Sequence, residues 1–317
     1  MYTYRQIFKQ AFKIAWQSPG LWFFGFFVTL LGSAGELEII LSSYSFGNQG
    51  VLFSFWQGLA QGGLLTPRGL SGFIQSLFSN PLYFFIISLI FLFVLGVSIL
   101  IVWLVVVSQS ALISQVVSVS SSRQLKWSQA FGLGLIKFWP VLGLNVLLRL
   151  VIWLLFAIST VLAIFNFPGL ILVFIVSFDI FLIVILTVSF IAKYAIAGVV
   201  LKGWRFRQAI QLAWKLFIAN WLLSLEVAVI LFAIYFFTNL FLFFILSWFL
   251  FYSLTIYASF TFGLVLLLLA LLGLILFIQI LLTIFYWASW TIIFELISRR
   301  EAVLTSRLKS GFVKMFG

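Results

Sequence analysis

The stretch that decides the fold runs from Leu82 to Val107 and reads LYFFIISLIFLFVLGVSILIVWLVVV. It contains no charged residue and is longer than the roughly 20 apolar residues that a helix needs to cross a bilayer. Within lipid the backbone polar groups need internal partners, which an α-helix supplies. The stretch therefore predicts a transmembrane helix, and the helix could continue beyond Ser110.

Five further apolar runs of this kind lie along the chain. They occupy residues 21–41, 139–165, 169–191, 221–246 and 262–297. The first is weakened at its end by Glu36 and Glu38, and the last is longer than one crossing requires, so it tilts or extends into the cytoplasm. Residues 42–81, rich in Gly and aromatics, indicate an external loop with one or two short interfacial helices. We predict an all-α bundle with about six transmembrane helices in one domain, 1–317.

The composition excludes an ordinary soluble domain. The chain is 65% hydrophobic and only 8% charged, whereas a soluble domain carries about a quarter charged residues. It contains no Cys and no His, which removes disulfides, thiolate chemistry and most zinc sites. The net charge of +12 is carried next to the apolar runs. It therefore favours an anionic lipid surface and not nucleic acid as the partner.

The positions of the cations predict the topology. Alternate connections between the apolar runs carry clusters of Lys and Arg, and the connection between the fourth and fifth runs includes Lys193 and Lys202. The opposite connections contain only Arg68 as a cation. The positive-inside rule then places both termini in the cytoplasm. Basic residues, an apolar run from Leu21 to Leu31 and Gly32-Ser33-Ala34 resemble a cleavable signal peptide. The leading segment recurs inside the chain, however, which argues against cleavage.

A short pattern recurs three times, each time before an apolar hairpin. Gln10-Ala11-Phe12, Gln129-Ala130-Phe131 and Gln208-Ala209-Ile210 all lie in basic stretches that lead into a span. The chain thus divides into three units, 1–110, 111–200 and 201–317, each an amphipathic helix followed by two spans.

The first and third of these helices have a cationic face at helical spacing. Arg5, Lys9 and Lys13 share one face of the first helix, and Arg207 and Lys215 share one face of the third. Helices of this kind lie in the membrane interface with their cations toward anionic headgroups. Two interpretations remain open: the helices are elbows that orient the spans, or they bind lipid headgroups or a partner protein.

Charged residues inside the spans are candidate sites, because charge at mid-bilayer is costly. Arg149 and Asp179 are each about 15 Å deep in the two spans of one hairpin, which makes a salt bridge between them geometrically feasible. Asn145 lies one turn from Arg149, and Glu226 lies near the cytoplasmic interface, within reach of Lys215 or Lys193. The four residues either fix the packing of the bundle or form a polar site for a solute, ion or proton.

No pattern in the sequence predicts catalysis. The six acidic residues are spread over the whole chain and there is no His, so grouped general acids, bases or metal ligands are not expected. Polar residues such as Asn239 and Gln279 are too scattered to trace a transport path. We expect no catalytic residues, no metal and no cofactor.

At the level of the whole chain the sequence resembles a broad group of bacterial six-span membrane proteins. The resemblance includes the membrane domain fused to some glycerophosphodiester phosphodiesterases. It rests on Ile7-Phe8-Lys9-Gln10-Ala11-Phe12 with Pro19-Gly20-Leu21-Trp22, on Trp127-Ser128-Gln129-Ala130-Phe131 through Phe138-Trp139-Pro140, and on Phe206-Arg207-Gln208-Ala209 through Asn220-Trp221. The catalytic domain of that group is absent. The resemblance therefore implies the fold, a bacterial inner-membrane location and an accessory role.

Three functional hypotheses follow in order of preference. The first is a non-enzymatic membrane component that organises lipid or a partner membrane protein. The second is a small transporter or channel whose polar site is Arg149 with Asp179. The third is an enzyme, which would need a cavity that gathers two carboxylates such as Asp179 and Glu226.

Overall fold

The computed structural model describes residues 4–30, 71, 75, 81–121, 125–164, 170–256 and 262–298. These residues are almost entirely α-helical, and no strand occurs among them. The longer described helices, in chain order, are α1 (Tyr4–Gln17), α2 (Pro19–Leu30), α3 (Pro81–Ser120), α4 (Trp127–Ile136), α5 (Phe138–Ile164), α6 (Leu170–Lys202), α7 (Phe206–Ala219), α8 (Trp221–Ile256) and α9 (Phe262–Ser298).

Five of the described helices are long and apolar enough to cross a bilayer: α3, α5, α6, α8 and α9. The apolar helix α2 is shorter, and the rest of the predicted first span lies outside the described residues, as does most of the predicted loop 42–81. Large apolar side chains stay exposed on the spanning helices, for example Phe237 at 66% and Trp248 at 73%. Lipid is the solvent that makes such a surface favourable. The chain is therefore an all-α, multi-pass membrane bundle, as the sequence predicts.

Several helices extend beyond the predicted apolar spans. Helix α3 continues to Ser120, which confirms its extension past Ser110, and α6 continues to Lys202. Lys193 and Lys202, which the sequence analysis placed in a connection, therefore belong to a helix. The physical reason is that lysine is a good helix former and does not end a helix. Helix α6 ends instead at Gly203, whose φ of 69° is the left-handed conformation that favours glycine.

The chain divides into two compact units. The smaller comprises Glu38–Leu104, and the larger comprises Met1–Leu37 with Val105–Gly317. In the smaller unit, the described first part of α3 exposes most of its large apolar side chains. The core of the larger unit lies in residues 105–116 of α3, 185–199 of α6 and 280–294 of α9.

The three recurring sequence patterns have the same burial in the structure. Ala11, Ala130 and Ala209 are each completely buried, and each lies on one of the helices α1, α4 and α7, which we call the lead helices. Four residues later each lead helix again has a small buried residue, namely Ala15, Gly134 and Ala213. Small residues one turn apart allow two helices to approach closely. The lead helices are therefore packing elements of the bundle.

Each lead helix packs against the second long helix of a hairpin. Helix α7 packs along α6, the helix that precedes it, and Gly134 of α4 lies against Val107 of the preceding α3. Helix α1, the first described helix, packs along α9, where Phe8 lies 6.1 Å from Phe285 between ring centroids. Helices α1 and α7 thus each pack along a long helix, whereas α4 approaches α3 at Gly134.

Candidate functional site

The predicted pair Arg149 and Asp179 lies on exposed surfaces of α5 and α6. Counted from the connection between the two helices, Arg149 is roughly 22 Å and Asp179 roughly 13 Å along its helix axis, at about 1.5 Å per residue. The two α-carbons thus differ by roughly 9 Å in depth. Their ion pair is not among the described contacts and stays a prediction.

Asn145, by contrast, is buried and bonded to a residue that the sequence analysis did not single out. Its side-chain amide donates to Gln109 Oε1 at 2.7 Å and to the Val141 carbonyl at 3.0 Å. Gln109 is only 1% exposed, and its Nε2 has no hydrogen-bond partner within the described part of the chain. Asn145 and Gln109 therefore form a buried polar link between α5 and α3.

A double-mutant cycle on this link tests whether its role is structural. We expect Asn145→Leu to destabilise the detergent-solubilised protein, because it leaves the Gln109 amide without its donor. The double variant Asn145→Leu with Gln109→Leu should recover most of the loss, with a coupling energy of about 0.6–2 kcal/mol. Thermal unfolding of wild type, Asn145→Leu, Gln109→Leu and the double variant measures this coupling energy. Strictly additive effects would contradict a direct link.

Glu226 contacts the first lead helix. Its Oε2 accepts a hydrogen bond from the Tyr4 hydroxyl, which links α8 to α1. Two residues before Glu226 in α8, the hydroxyl of Ser224 lies 2.7 Å from that of Tyr194 of α6 in a fully buried position. The Glu226 region is therefore a junction of α1, α6 and α8, and hydrogen bonds between side chains hold the three helices together.

Lys193 is a buried cation that the sequence analysis missed. It is 4% exposed, and its Nζ lies 4.7 Å from the ring centroid of Trp290, 5.1 Å from that of Tyr286 and 5.3 Å from that of Phe190. These distances are within the range of cation–π attraction. The apolar residues that continue after Lys193 in the sequence were the signal that could have placed it inside a helix.

Asn239 and Gln279, which looked scattered in the sequence, meet in the structure. Gln279 donates from Nε2 to Asn239 Oδ1 at 2.5 Å and accepts from the Tyr235 hydroxyl at 3.2 Å. The three side chains join α8 to α9. Hydrogen bonds of this kind hold transmembrane helices together, so these residues connect the hairpin and do not trace a path.

The cations predicted to face headgroups are all exposed. Arg5, Lys9 and Lys13 lie on the exposed side of α1, whereas Ile7, Ala11, Ile14 and Ala15 are buried. Arg207 and Lys215 are likewise exposed on α7. The aromatic side chains Trp16 and Trp214 are 57% and 48% exposed on the same two helices.

A cavity of about 690 Å³ lies between α5, α6 and α7. Each helix contributes four lining residues: Leu144, Leu147, Leu148 and Val151 from α5, Val188, Ile191, Ala192 and Ala195 from α6, and Ile210, Gln211, Trp214 and Lys215 from α7. We call it the α5–α6–α7 groove. None of Arg149, Asp179, Asn145 and Glu226 lines it.

The described residues show no group of three or more side chains that could hold a metal ion. Comparison of the chain with protein-family models, with curated proteins and with solved structures finds no match in any of the three. The resemblance to the membrane domains of glycerophosphodiester phosphodiesterases therefore stays an expectation from the sequence.

Proposed function

We propose that the protein is a non-enzymatic component of a bacterial inner membrane that organises anionic lipid at its cytoplasmic face. One observation carries the proposal: the lead helices α1 and α7 bury small side chains against the bundle while their cations remain exposed. In a membrane, an exposed cation near the surface gains about 1 kcal/mol from anionic lipid. The resemblance to phosphodiesterase membrane domains supports an accessory role, with a partner membrane protein supplying any catalysis.

The orientation is part of the same proposal. Both termini are cytoplasmic, because the lead helices and their cations belong on the side that the positive-inside rule assigns to the cytoplasm. The exposed tryptophans on α1 and α7 support an interfacial depth for these helices, since Trp is enriched at the level of the headgroups.

A solvent-reaching cavity lined by Arg149, Asp179 and Asn145 would favour the second hypothesis, a transporter or channel. The cavity between α5, α6 and α7 has other walls, and Asn145 is engaged with Gln109. These observations favour the organisation of lipid over transport.

Lipid analysis of the purified protein tests the proposal. Particles excised from the membrane with a styrene–maleic acid polymer should retain more phosphatidylglycerol than the bulk membrane. Changing Arg5, Lys9, Lys13, Arg207 and Lys215 together to Gln should abolish the enrichment. The matched control exchanges Arg for Lys and Lys for Arg at the same five positions, which keeps the charge and should keep the enrichment. Equal lipid composition in all three samples would contradict the proposal.

A further inference from the structure

We propose that the α5–α6–α7 groove is a binding site for one phospholipid with an anionic headgroup, which holds an acyl chain between α5 and α6 and its phosphate against Lys215 and Gln211. The inference rests on the proposed association with anionic lipid and assigns it to one site.

The walls from α5 and α6 are entirely apolar. Leu144, Leu148, Ala192 and Ala195 form a buried floor, with at most 7% of any of these side chains exposed. On α5 the lining runs from Leu144 to Val151 and on α6 from Ala195 back to Val188. Each wall thus covers about two helical turns, or roughly 10 Å. An extended hydrocarbon chain matches an elongated apolar surface of this kind.

The polar residues of the groove all come from α7. Gln211 and Lys215 are one turn apart on this helix, and both are exposed. Arg207 lies one further turn back on the same face, which extends the polar row along the edge. Lys215 makes no hydrogen bond or ion pair with any residue that the structure describes, so its ammonium is available to a phosphate.

The order of the walls fits a lipid entering from the cytoplasmic leaflet. Leu144 and Ala195 lie toward the ends of α5 and α6 that the charge pattern assigns to the cytoplasm, and Val151 and Val188 lie deeper. Helix α7 runs beside both walls, because Phe206 at its start lies against Gly143 of α5 and Phe217 near its end lies 5.8 Å from Phe190 of α6 between ring centroids. An acyl chain that runs inward from a phosphate at Lys215 therefore passes Val151 and Val188. A volume of about 690 Å³ is also within the range of about 300–1,000 Å³ that is usual for small-molecule sites.

The other lead helices do not repeat this edge completely. At the positions of Arg207, Gln211 and Lys215 in the recurring pattern, α1 has Lys9, Lys13 and Gln17, whereas α4 has Ser128, Gly132 and Ile136. Helix α4 therefore lacks the cations that would hold a phosphate. Helix α1 supplies a matched control, because Lys9 is an exposed cation of the same helix type outside the groove.

Native mass spectrometry of the full chain in detergent tests the site. Phosphatidylglycerol and phosphatidylcholine with the same acyl chains are titrated against wild type, Lys215→Gln, Val151→Phe and the controls Lys9→Gln and Leu154→Phe. We expect Lys215→Gln to weaken phosphatidylglycerol binding about fivefold, the loss of one surface cation, and to weaken phosphatidylcholine binding less, because the choline cation offsets the charge of its phosphate. Val151→Phe should weaken both lipids because it fills the groove, and the controls should resemble wild type.

The outcomes separate the two proposals. If wild type prefers phosphatidylglycerol but Lys215→Gln and Val151→Phe bind it as wild type does, the groove is wrong and the general association with anionic lipid survives. If wild type shows no preference for phosphatidylglycerol, the proposed function itself fails. If Lys9→Gln and Lys215→Gln weaken phosphatidylglycerol binding equally, the effect of charge is diffuse and the assignment of the site to the groove is wrong.

A single label locates the acyl chain without relying on a groove variant. The natural chain contains no Cys, so a fluorophore attached at Leu147→Cys is unique. Brominated phosphatidylglycerol at low molar ratio in detergent should quench this label more strongly than a label at Leu154→Cys, which is 62% exposed in wild type on the same helix outside the groove. Equal quenching at the two positions overturns the assignment.

Discussion

Replacing Gly134 with Ala is expected to lower the free energy of unfolding by about 1–3 kcal/mol, the usual cost of overpacking. A β-carbon at this position would lie 2.5 Å from the carbonyl oxygen of Val107. The neighbour is backbone and cannot change rotamer, so α4 and α3 would have to move apart. Thermal unfolding in detergent, followed by circular dichroism, measures the change.

Gly132 offers a control in the same helix. A β-carbon there meets nothing within 4 Å, so Gly132→Ala should stabilise the protein by about 0.5–1 kcal/mol, because Gly is the weaker helix former. The two substitutions have the same chemistry and are predicted to have opposite signs. If Gly134→Ala proves neutral or stabilising, the close approach of α4 to Val107 is wrong.

Replacing Lys193 with Ala is expected to destabilise the protein by about 3 kcal/mol or more. The side chain is 4% exposed, and removing its buried methylene groups costs about 0.8 kcal/mol each before any cavity forms. The attraction of the ammonium to the rings of Phe190, Tyr286 and Trp290 is lost as well, and such contacts contribute about 2 kcal/mol when desolvated.

Two further variants separate packing from charge at this position. Lys193→Met keeps most of the volume and removes the charge, so it should lie between wild type and Lys193→Ala. Lys202→Ala removes an exposed Lys from the same helix and should change stability by no more than about 0.5 kcal/mol. If Lys193→Met is more stable than wild type, the free-energy cost of burying the ammonium exceeds its attraction to the three aromatic rings.

The spans could be predicted because they depend only on composition and length. A run such as Leu82–Val107 has one stable arrangement in lipid, whatever surrounds it. The ends of the helices were harder to predict from the sequence, because they depend on local features of the chain. Lys193 was assigned to a connection because of its charge, whereas Gly203, with its positive φ, marks the actual end of α6.

Only the cationic part of the α5–α6–α7 groove could be predicted from the sequence. Lys215 could be assigned to a cationic face from helical spacing within one segment. The apolar walls of the groove come from two other helices, and nothing in their spacing reveals that Val151 and Val188 face the same space. Asn145 illustrates the same limit: sequence distance paired it with Arg149, while tertiary packing gave it Gln109 as a partner.

The contact between α1 and α9 has a consequence for biogenesis. Helix α1 leaves the ribosome before α9, but α1, which buries Ile7, Ala11 and Ile14, packs along α9. Until α9 has been translated and inserted, the apolar face of α1 is covered by the headgroup region of the membrane or by an insertion factor. Completion of the larger unit is thus a late, post-insertional event, and a nascent chain arrested before α9 would present an unoccupied docking helix to membrane quality control.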